Sequence, residues 1–160
     1  MPARKPRSTG SQDVSSLETH LGYWLRFVSN HVSHAFGVKL SKREVTVAEW
    51  VLMRELYEHE SVAPSKLAES LHMTRGAISK IVDRLAEKTL VARRQGEGDR
   101  RFQELELTQA GRELVPVLAA LADENDAEFF GHLGQRDRDF VQELLKEVVR
   151  RRQLSKIPVD

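Results

Sequence analysis

The chain has 160 residues, a net charge of +1 and 40% hydrophobic residues, which is enough to bury the core of one soluble domain. It has no cysteine, which excludes disulfides, thiolate catalysis and cysteine-based metal sites. No window approaches the run of roughly 18 apolar residues that a membrane span needs. No apolar stretch follows the charged start as it would in a secretory signal, so a cytoplasmic location follows most simply.

The positive charge is concentrated in the middle of the chain. Residues 61–101 carry nine Lys/Arg against five Asp/Glu, a net of +4, whereas residues 102–160 carry a net of −4. Such an excess is typical of a phosphate-binding surface, although four extra charges also occur on ordinary protein surfaces.

The first part of the chain predicts an arm and a helix. Residues 1–13 are rich in Pro, Ser, Arg and Lys, which predicts a flexible basic arm. Apolar residues then recur every three or four positions, which predicts a helix over 15–36 that ends at Gly37.

Two shorter helices are expected next. The segment from Thr46 to Glu49 has the form of a capping box, so a helix should begin there and run to about His59. Another should begin at Pro64, because proline is favoured in the first helical turn. The inward-facing residues of the two helices are expected to be Trp50, Val51, Met53, Leu56, Leu67, Ala68 and Leu71.

A polar, cationic helix should then begin after the capping residue Thr74. Its inward face is predicted to be Ala77, Ile78, Ile81, Val82 and Leu85. Its outward face is predicted to be Arg75, Gly76, Ser79, Lys80, Asp83 and Arg84. A helix with such a face can enter a DNA major groove. The alternative is a solvated helix, on which Asp83 and Glu87 form ion pairs with Lys80 and Arg84.

A charged β-hairpin should follow, with strands over 90–94 and 102–107 and a turn over 96–99. Four arginines cluster on these strands and their turn, at Arg93, Arg94, Arg100 and Arg101. DNA phosphates favour such clusters through counterion release. The alternative is a hairpin whose charges serve solubility, with Asp99 as an ordinary turn residue.

Two long helices complete the predicted fold. The first is capped by Thr108 and reaches about Phe130, and Pro116 should kink it or mark the boundary of its first turn. The second covers 136–152 and is expected to bury Phe140, Leu144, Leu145 and Val148. The whole predicts a mainly α fold with a small β-hairpin wing.

The middle of this pattern, residues 44–108, is a winged helix-turn-helix DNA-binding domain. The outer helices, over 14–36 and 109–155, carry apolar faces too large for that domain to cover, which predicts a homodimerisation domain.

At this point the residues resemble the MarR family of bacterial transcriptional regulators (multiple antibiotic resistance regulators) over about residues 15–152. Its most specific part is the wing signature, formed here by Asp99, Arg100, Arg101, Leu105, Leu107, Thr108 and Gly111. A second part runs through Leu67, Ala68, Glu69, Thr74, Ser79, Val82, Leu85, Leu90, Val91 and Arg93.

The resemblance implies a homodimer whose recognition helices enter successive major grooves of a pseudo-palindromic site on double-stranded DNA, with the wings in the flanking minor groove. It adds phosphate contacts at Ser65 and Lys66, and a wing pair in which Asp99 steadies Arg101. The complete candidate DNA-binding set is Ser65, Lys66, Thr74, Arg75, Gly76, Ser79, Lys80, Arg84, Arg93, Arg94, Asp99, Arg100 and Arg101.

Two positions depart from the family pattern. The family usually has glycine just after the recognition helix, where this chain has Thr89, which would be strained in a left-handed conformation. The residue before Pro64 is Ala63, whose side chain cannot cap the helix.

The resemblance also implies a crevice that accepts small phenolic or aromatic acids. The candidate ligand-binding residues are His20, Trp24, Trp50 and Arg54, with Arg54 as the cation for a carboxylate. The aromatic stripe of the first helix is more often a dimer core than a pocket. His31 and His34 alone fall short of the three or four ligands that zinc requires, so no metal is expected.

Neither a catalytic residue set nor a phosphate-binding glycine loop is recognisable, so we expect no enzyme and no cofactor. The sequence therefore predicts a dimeric transcriptional regulator, a repressor rather than an activator, that a small ligand releases from DNA. The alternatives are a regulator without an effector and a winged helix that binds only proteins.

Overall fold

The structure is a computed structural model that describes residues 14–95 and 103–154. Within these ranges the chain forms one short 3₁₀ helix, six α-helices and one antiparallel hairpin, which confirms the predicted mainly α fold. The elements are the 3₁₀ helix Leu17–Thr19, α1 Leu21–Ser41, α2 Val47–Tyr57, α3 Pro64–Ser70, α4 Arg75–Glu87, β1 Val91–Gln95, β2 Gln103–Leu107, α5 Gln109–Phe130 and α6 Gln135–Arg152. The predicted basic arm, the turn of the hairpin and residues 155–160 lie outside the described residues.

The chain divides into two compact units, Met1–His31 and Val32–Asp160. In the second unit, one apolar core joins the residues around α2, α3 and α4 to the hairpin and the first half of α5. Its buried members are Leu40, Val45, Leu52, Met53, Leu56, Val62, Leu67, Ala68, Ile78, Ile81, Val82, Leu85, Val91, Leu105, Leu107, Val115 and Leu118.

The hairpin is attached to the helices through its second strand. Val91 pairs with Leu107 and Arg93 with Leu105, so alternate residues of β2 face the core. Val62, just before α3, forms an isolated bridge with Leu105 through two backbone hydrogen bonds of 2.9 Å. This bridge fixes the start of α3 against the base of the wing.

The bounds predicted for the first helix, 15–36, are wrong at both ends, because α1 begins only at Leu21, after the 3₁₀ helix. α1 does not end at Gly37 but continues to Ser41, because Leu40 is fully buried and a single glycine costs a helix only about 1 kcal/mol. α5 has the predicted bounds, from the capping residue Thr108 to Phe130, and runs through Pro116 as one helix of 22 residues. Of the two roles predicted for Pro116, the first-turn boundary is wrong and the kink stays a prediction.

The prediction that α6 buries its apolar stripe is not met within one chain. None of its 18 residues is buried, and Phe140, Leu144, Leu145 and Val148 are 40–68% exposed. In α2, Trp50 and Val51 are only half-buried, and Leu52 is a core residue that the sequence prediction missed. Among the described residues, every helix is too short or too polar to cross a membrane.

Candidate nucleic-acid interface

α4 is an amphipathic helix whose inner face anchors it to the core. The Thr74 hydroxyl accepts a hydrogen bond from the Ala77 amide at 3.2 Å, as the sequence predicted for a capping residue. The inward residues Ile78, Ile81, Val82 and Leu85 are at most 5% exposed. The opposite face is open to solvent and carries Arg75, Gly76, Ser79, Lys80, Asp83 and Arg84.

Gly76 lies at the second position of α4 and has no packing role in the described chain. A Cβ atom added there would meet no described atom within 4 Å. Glycine lowers helix stability relative to alanine by about 0.5–1 kcal/mol. Because glycine has no side chain, another molecule can approach the backbone of α4 closely at this position.

The start of α3 carries two of the candidate DNA-binding residues. Ala63 occupies the capping position without a side-chain hydrogen bond, as expected for alanine. The next two candidate residues, Ser65 and Lys66, are exposed. They are therefore accessible for phosphate contacts.

The wing is connected to α4 by an ion pair that the sequence prediction missed. Arg93 of β1 donates to the carboxylate of Asp83, whereas the alternative prediction paired Asp83 with Lys80 or Arg84. Arg94, the next residue, lies 3.7 Å from the carboxylate of Glu106. Arg93 and Arg94 are both exposed, but each already has an acidic neighbour.

The tip of the wing lies outside the described residues. This applies to Asp99, Arg100 and Arg101, the three wing residues of the predicted DNA-binding set. Their roles stay predictions.

The carboxyl end of α4 is held by an ion pair between a buried carboxylate, Glu49, and a partly exposed lysine, Lys88. Glu49 of α2 is 0% exposed, and both its carboxylate oxygens accept hydrogen bonds from Lys88 Nζ at 2.9 Å. Its Oε2 also accepts from the Thr46 amide at 2.8 Å and completes the predicted capping box. Burial raises the pKa of Glu49, but the bonds from Lys88 and Thr46 outweigh it and hold that pKa below the usual glutamate value.

Thr89 and Leu90, which follow Lys88, are hydrogen-bonded to the start of α5. Thr89 has φ 57°, the left-handed conformation that the family glycine would tolerate better. The Thr108 hydroxyl donates to the Thr89 carbonyl at 2.7 Å, and the Thr108 amide donates to the Leu90 carbonyl at 3.1 Å. Gly111 is required here, since a Cβ atom would lie 2.2 Å from the Leu90 oxygen.

The candidate ligand residues are divided between the two units. In the first, His20 Nδ1 lies 3.0 Å from the Ser16 carbonyl, and Trp24 Nε1 donates to the Glu18 carbonyl at 2.9 Å. In the second, the Trp50 ring packs edge-on against Phe36, with centroids 6.3 Å apart.

Arg54, the cation predicted for a ligand carboxylate, pairs with Glu58. Its guanidinium also lies 6.0 Å from the centre of the Tyr57 ring. The described His, Asp and Glu side chains form no group of three that could hold a metal ion.

The helix pair α3 and α4, followed by the charged hairpin of β1 and β2, defines a winged helix-turn-helix protein. Residues 45–102, from the start of α2 into the wing, match the family model described as the MarR family. The organic hydroperoxide resistance transcriptional regulator of Bacillus subtilis is 26% identical over 99 residues, which cover 62% of this chain and 67% of that protein.

Solved structures share the fold. A mutant MarR from E. coli complexed with operator DNA has a TM-score of 0.73 at 23% identity, and the match covers 81% of this chain and 93% of that chain. Bordetella bronchiseptica BpsR, whose DNA binding is regulated by 6-hydroxynicotinic acid, has a TM-score of 0.74 at 21% identity, with coverages of 84% and 96%.

Residues 45–102 therefore carry a MarR-type domain, and the chain is similar to MarR-family regulators. It is a DNA-binding transcriptional regulator of the winged helix-turn-helix type.

Proposed function

We propose that the protein is a dimeric repressor that reads double-stranded DNA with α4 and is released by a small aromatic acid. The observation that carries the proposal is the outer face of α4. Arg75, Ser79 and Lys80 stand on that face beside an unpacked glycine, Gly76, while the opposite face is fully buried. Such a helix can present hydrogen-bond donors to base edges while its opposite face stays packed in the core.

The dimer is supported by apolar surface that one chain leaves open. On α6, Leu144 is 45% and Val148 is 48% exposed, and they belong to a stripe repeating every three or four residues. On the first half of α1, Trp24 is 45% and Phe27 is 48% exposed. Apolar stripes of this kind are covered in helical dimers by the same stripe of a second copy.

A two-fold dimer would present two copies of α4 to one face of the duplex. Recognition helices about 34–36 Å apart reach major grooves one helical turn apart, so the site would be pseudo-palindromic. The wings would contact the flanking backbone and minor groove, where Arg94 and the arginines of the wing tip add positive charge.

The proposed effector is a small acid with an aromatic ring. The exposed Arg54 offers a cation, and its pair with Glu58 is weak because both side chains are about half-exposed or more. Half-buried Trp50, one turn earlier on α2, offers a ring surface. BpsR responds to a ligand of this class. His20 and Trp24 stay predictions from the sequence.

Release would follow from differential binding. The ligand lowers DNA affinity only if it binds the DNA-free arrangement more tightly than the DNA-bound one. A regulator released in this way represses while the ligand is scarce. Its place of action would be the bacterial cytoplasm, where the chromosomal DNA lies.

One experiment tests the core of this proposal. The chain is used to select duplexes from a random pool, and its affinity for the recovered sequence and for a scrambled duplex is measured by fluorescence anisotropy over a salt series. We expect one pseudo-palindromic sequence and an affinity that falls linearly with the logarithm of salt concentration. No enriched sequence and no salt dependence would instead support a winged helix that binds only proteins.

A further inference from the structure

The burial of Glu49 requires an explanation beyond helix capping. In a capping box the third helical residue needs only to reach back to the amide of the capping residue, and an exposed side chain does that equally well. Here the Glu49 side chain is 1% exposed. A buried carboxylate is costly unless it is paired and hydrogen-bonded, so the fold retains Glu49 together with its cation.

Every N–H donor of the Lys88 ammonium group has a hydrogen-bond acceptor. It donates to both oxygens of Glu49 at 2.9 Å and to the Glu44 carbonyl at 2.7 Å, which accounts for its three donors. That carbonyl belongs to a residue in the turn between α1 and α2, and Glu44 adopts the left-handed conformation there, with φ 57°. Lys88 is itself the residue that ends α4.

These contacts hold the carboxyl end of α4, in addition to the packing of its inner face against the core. Its carboxyl end is attached to the start of α2 through Lys88 and to the start of α5 through Thr89. Its amino end, with Arg75 and Gly76, is exposed. Over 13 residues the helix is about 20 Å long, so a change of about 5° in the direction of its axis moves its amino end by roughly 1.7 Å relative to its carboxyl end.

We infer that Glu49 and Lys88 are positioning residues for DNA reading, because they fix the direction in which α4 leaves the core. The inference rests on the proposal that α4 reads DNA. Hydrogen bonds to base edges tolerate only a few tenths of an ångström, whereas phosphate contacts tolerate more. Loss of the pair therefore impairs recognition of a specific site more than general attachment to DNA.

The test uses Lys88→Met, which keeps an unbranched side chain only one atom shorter and removes its charge. Its matched control is Lys39→Met, since Lys39 forms the same two-oxygen contact with Glu128, at 2.8 and 2.9 Å, between α1 and α5. Affinities for the duplex selected by the parent chain and for its scrambled version are measured where circular dichroism shows each variant fully folded.

The ratio of the two affinities should fall about tenfold for Lys88→Met, the effect of roughly one lost base contact. It should stay unchanged for Lys39→Met, and Lys88→Arg should restore most of it. If Lys88→Met does not fold, the double variant Glu49→Gln with Lys88→Met leaves no buried charge and is measured instead. An unchanged ratio in a folded variant overturns the inference even if its melting temperature drops. A parent chain that prefers no duplex overturns the proposed function, and the inference with it.

Discussion

The guanidinium of Arg93, on the first strand of the wing, forms an ion pair with the carboxylate of Asp83 on the outer face of α4. The contact connects the two elements that we propose to touch DNA, and it does so at the surface. Asp83 also places a negative charge on a face that must approach phosphates. The pair therefore has opposing effects on DNA binding: it orders the wing and weakens the positive field.

Asp83→Asn should separate these effects. Because both side chains are about half-exposed, unfolding free energy should change by less than about 1 kcal/mol. Affinity for random duplex should rise several-fold, since Arg93 becomes free to bind a phosphate, and the slope against the logarithm of salt should steepen by about one unit per subunit. Anisotropy titrations measure both. Glu87→Gln, which removes the same charge from the same helix, is the control. Equal effects from the two variants would show that charge alone matters.

Gly76→Ala should make the chain more stable and a poorer DNA binder. An added methyl group meets no described atom and removes the entropic cost of glycine, so the unfolding free energy should rise by up to about 1 kcal/mol. The same methyl group would stand between α4 and the duplex. The control is Gly22→Ala, because Gly22 is likewise the second residue of its helix and likewise faces open space. Thermal unfolding should show a gain in stability for both variants, and DNA titration should show a loss of affinity for Gly76→Ala alone. Unimpaired DNA binding by Gly76→Ala would mean that Gly76 does not lie at the DNA-binding surface.

Stability should depend on pH through Glu49. Its pKa is lowered in the folded chain, so its ionised form stabilises the fold above the unfolded glutamate pKa of about 4.3. That contribution is lost as the pH falls through the lower, folded value. The advantage of the parent chain over Glu49→Gln in urea unfolding should thus be constant above about pH 5 and shrink below about pH 4. An advantage that grows toward pH 3 would mean that burial, not pairing, dominates this carboxylate.

Local signals in the sequence predicted the helix starts well. Thr46, Thr74 and Thr108 all cap the helices expected of them, because a capping hydroxyl acts on an amide three residues away. Helix ends were less predictable. Gly37 reads as a stop signal, but the burial of Leu40 depends on residues distant in the chain.

The geometry of the candidate DNA-binding surface was predictable only in part, because local spacing reveals the faces of a helix but not its contacts with distant residues. The outer face of α4 follows from helical periodicity alone. By contrast, the partner of Glu49 lies 39 residues away and that of Asp83 lies on another element, so neither pair has a local signature. The left-handed conformation of Thr89 was signalled only by the family's glycine at that position.

Charges placed in the α6 stripe should prevent dimer formation. Leu144→Asp with Val148→Asp adds two negative charges to a surface that one chain leaves exposed, so each monomer should stay folded while the dimer dissociates. Sedimentation should then show an 18.3 kDa species, and binding to the selected duplex should be lost. Lys146→Ala with Arg150→Ala changes the net charge equally from outside the stripe and should remain dimeric. A parent chain that is already monomeric at micromolar concentration would defeat the proposed assembly.

Arg54→Ala should abolish much of the response to an aromatic acid without impairing DNA binding. We expect hydroxybenzoic acids or 6-hydroxynicotinic acid to quench Trp50 fluorescence, measured in a Trp24→Phe background, and to lower DNA affinity in the same concentration range. Reciprocity requires that DNA weaken ligand binding by the same factor. Removing Arg54 deprives the ligand carboxylate of its cation, whereas Arg43→Ala, an exposed arginine in the turn before α2, should respond like the parent chain. If these acids cause neither quenching nor release in the parent chain, the effector part of the proposal is wrong. DNA binding by α4 would still stand, with regulation by protein abundance or by a chemically different signal.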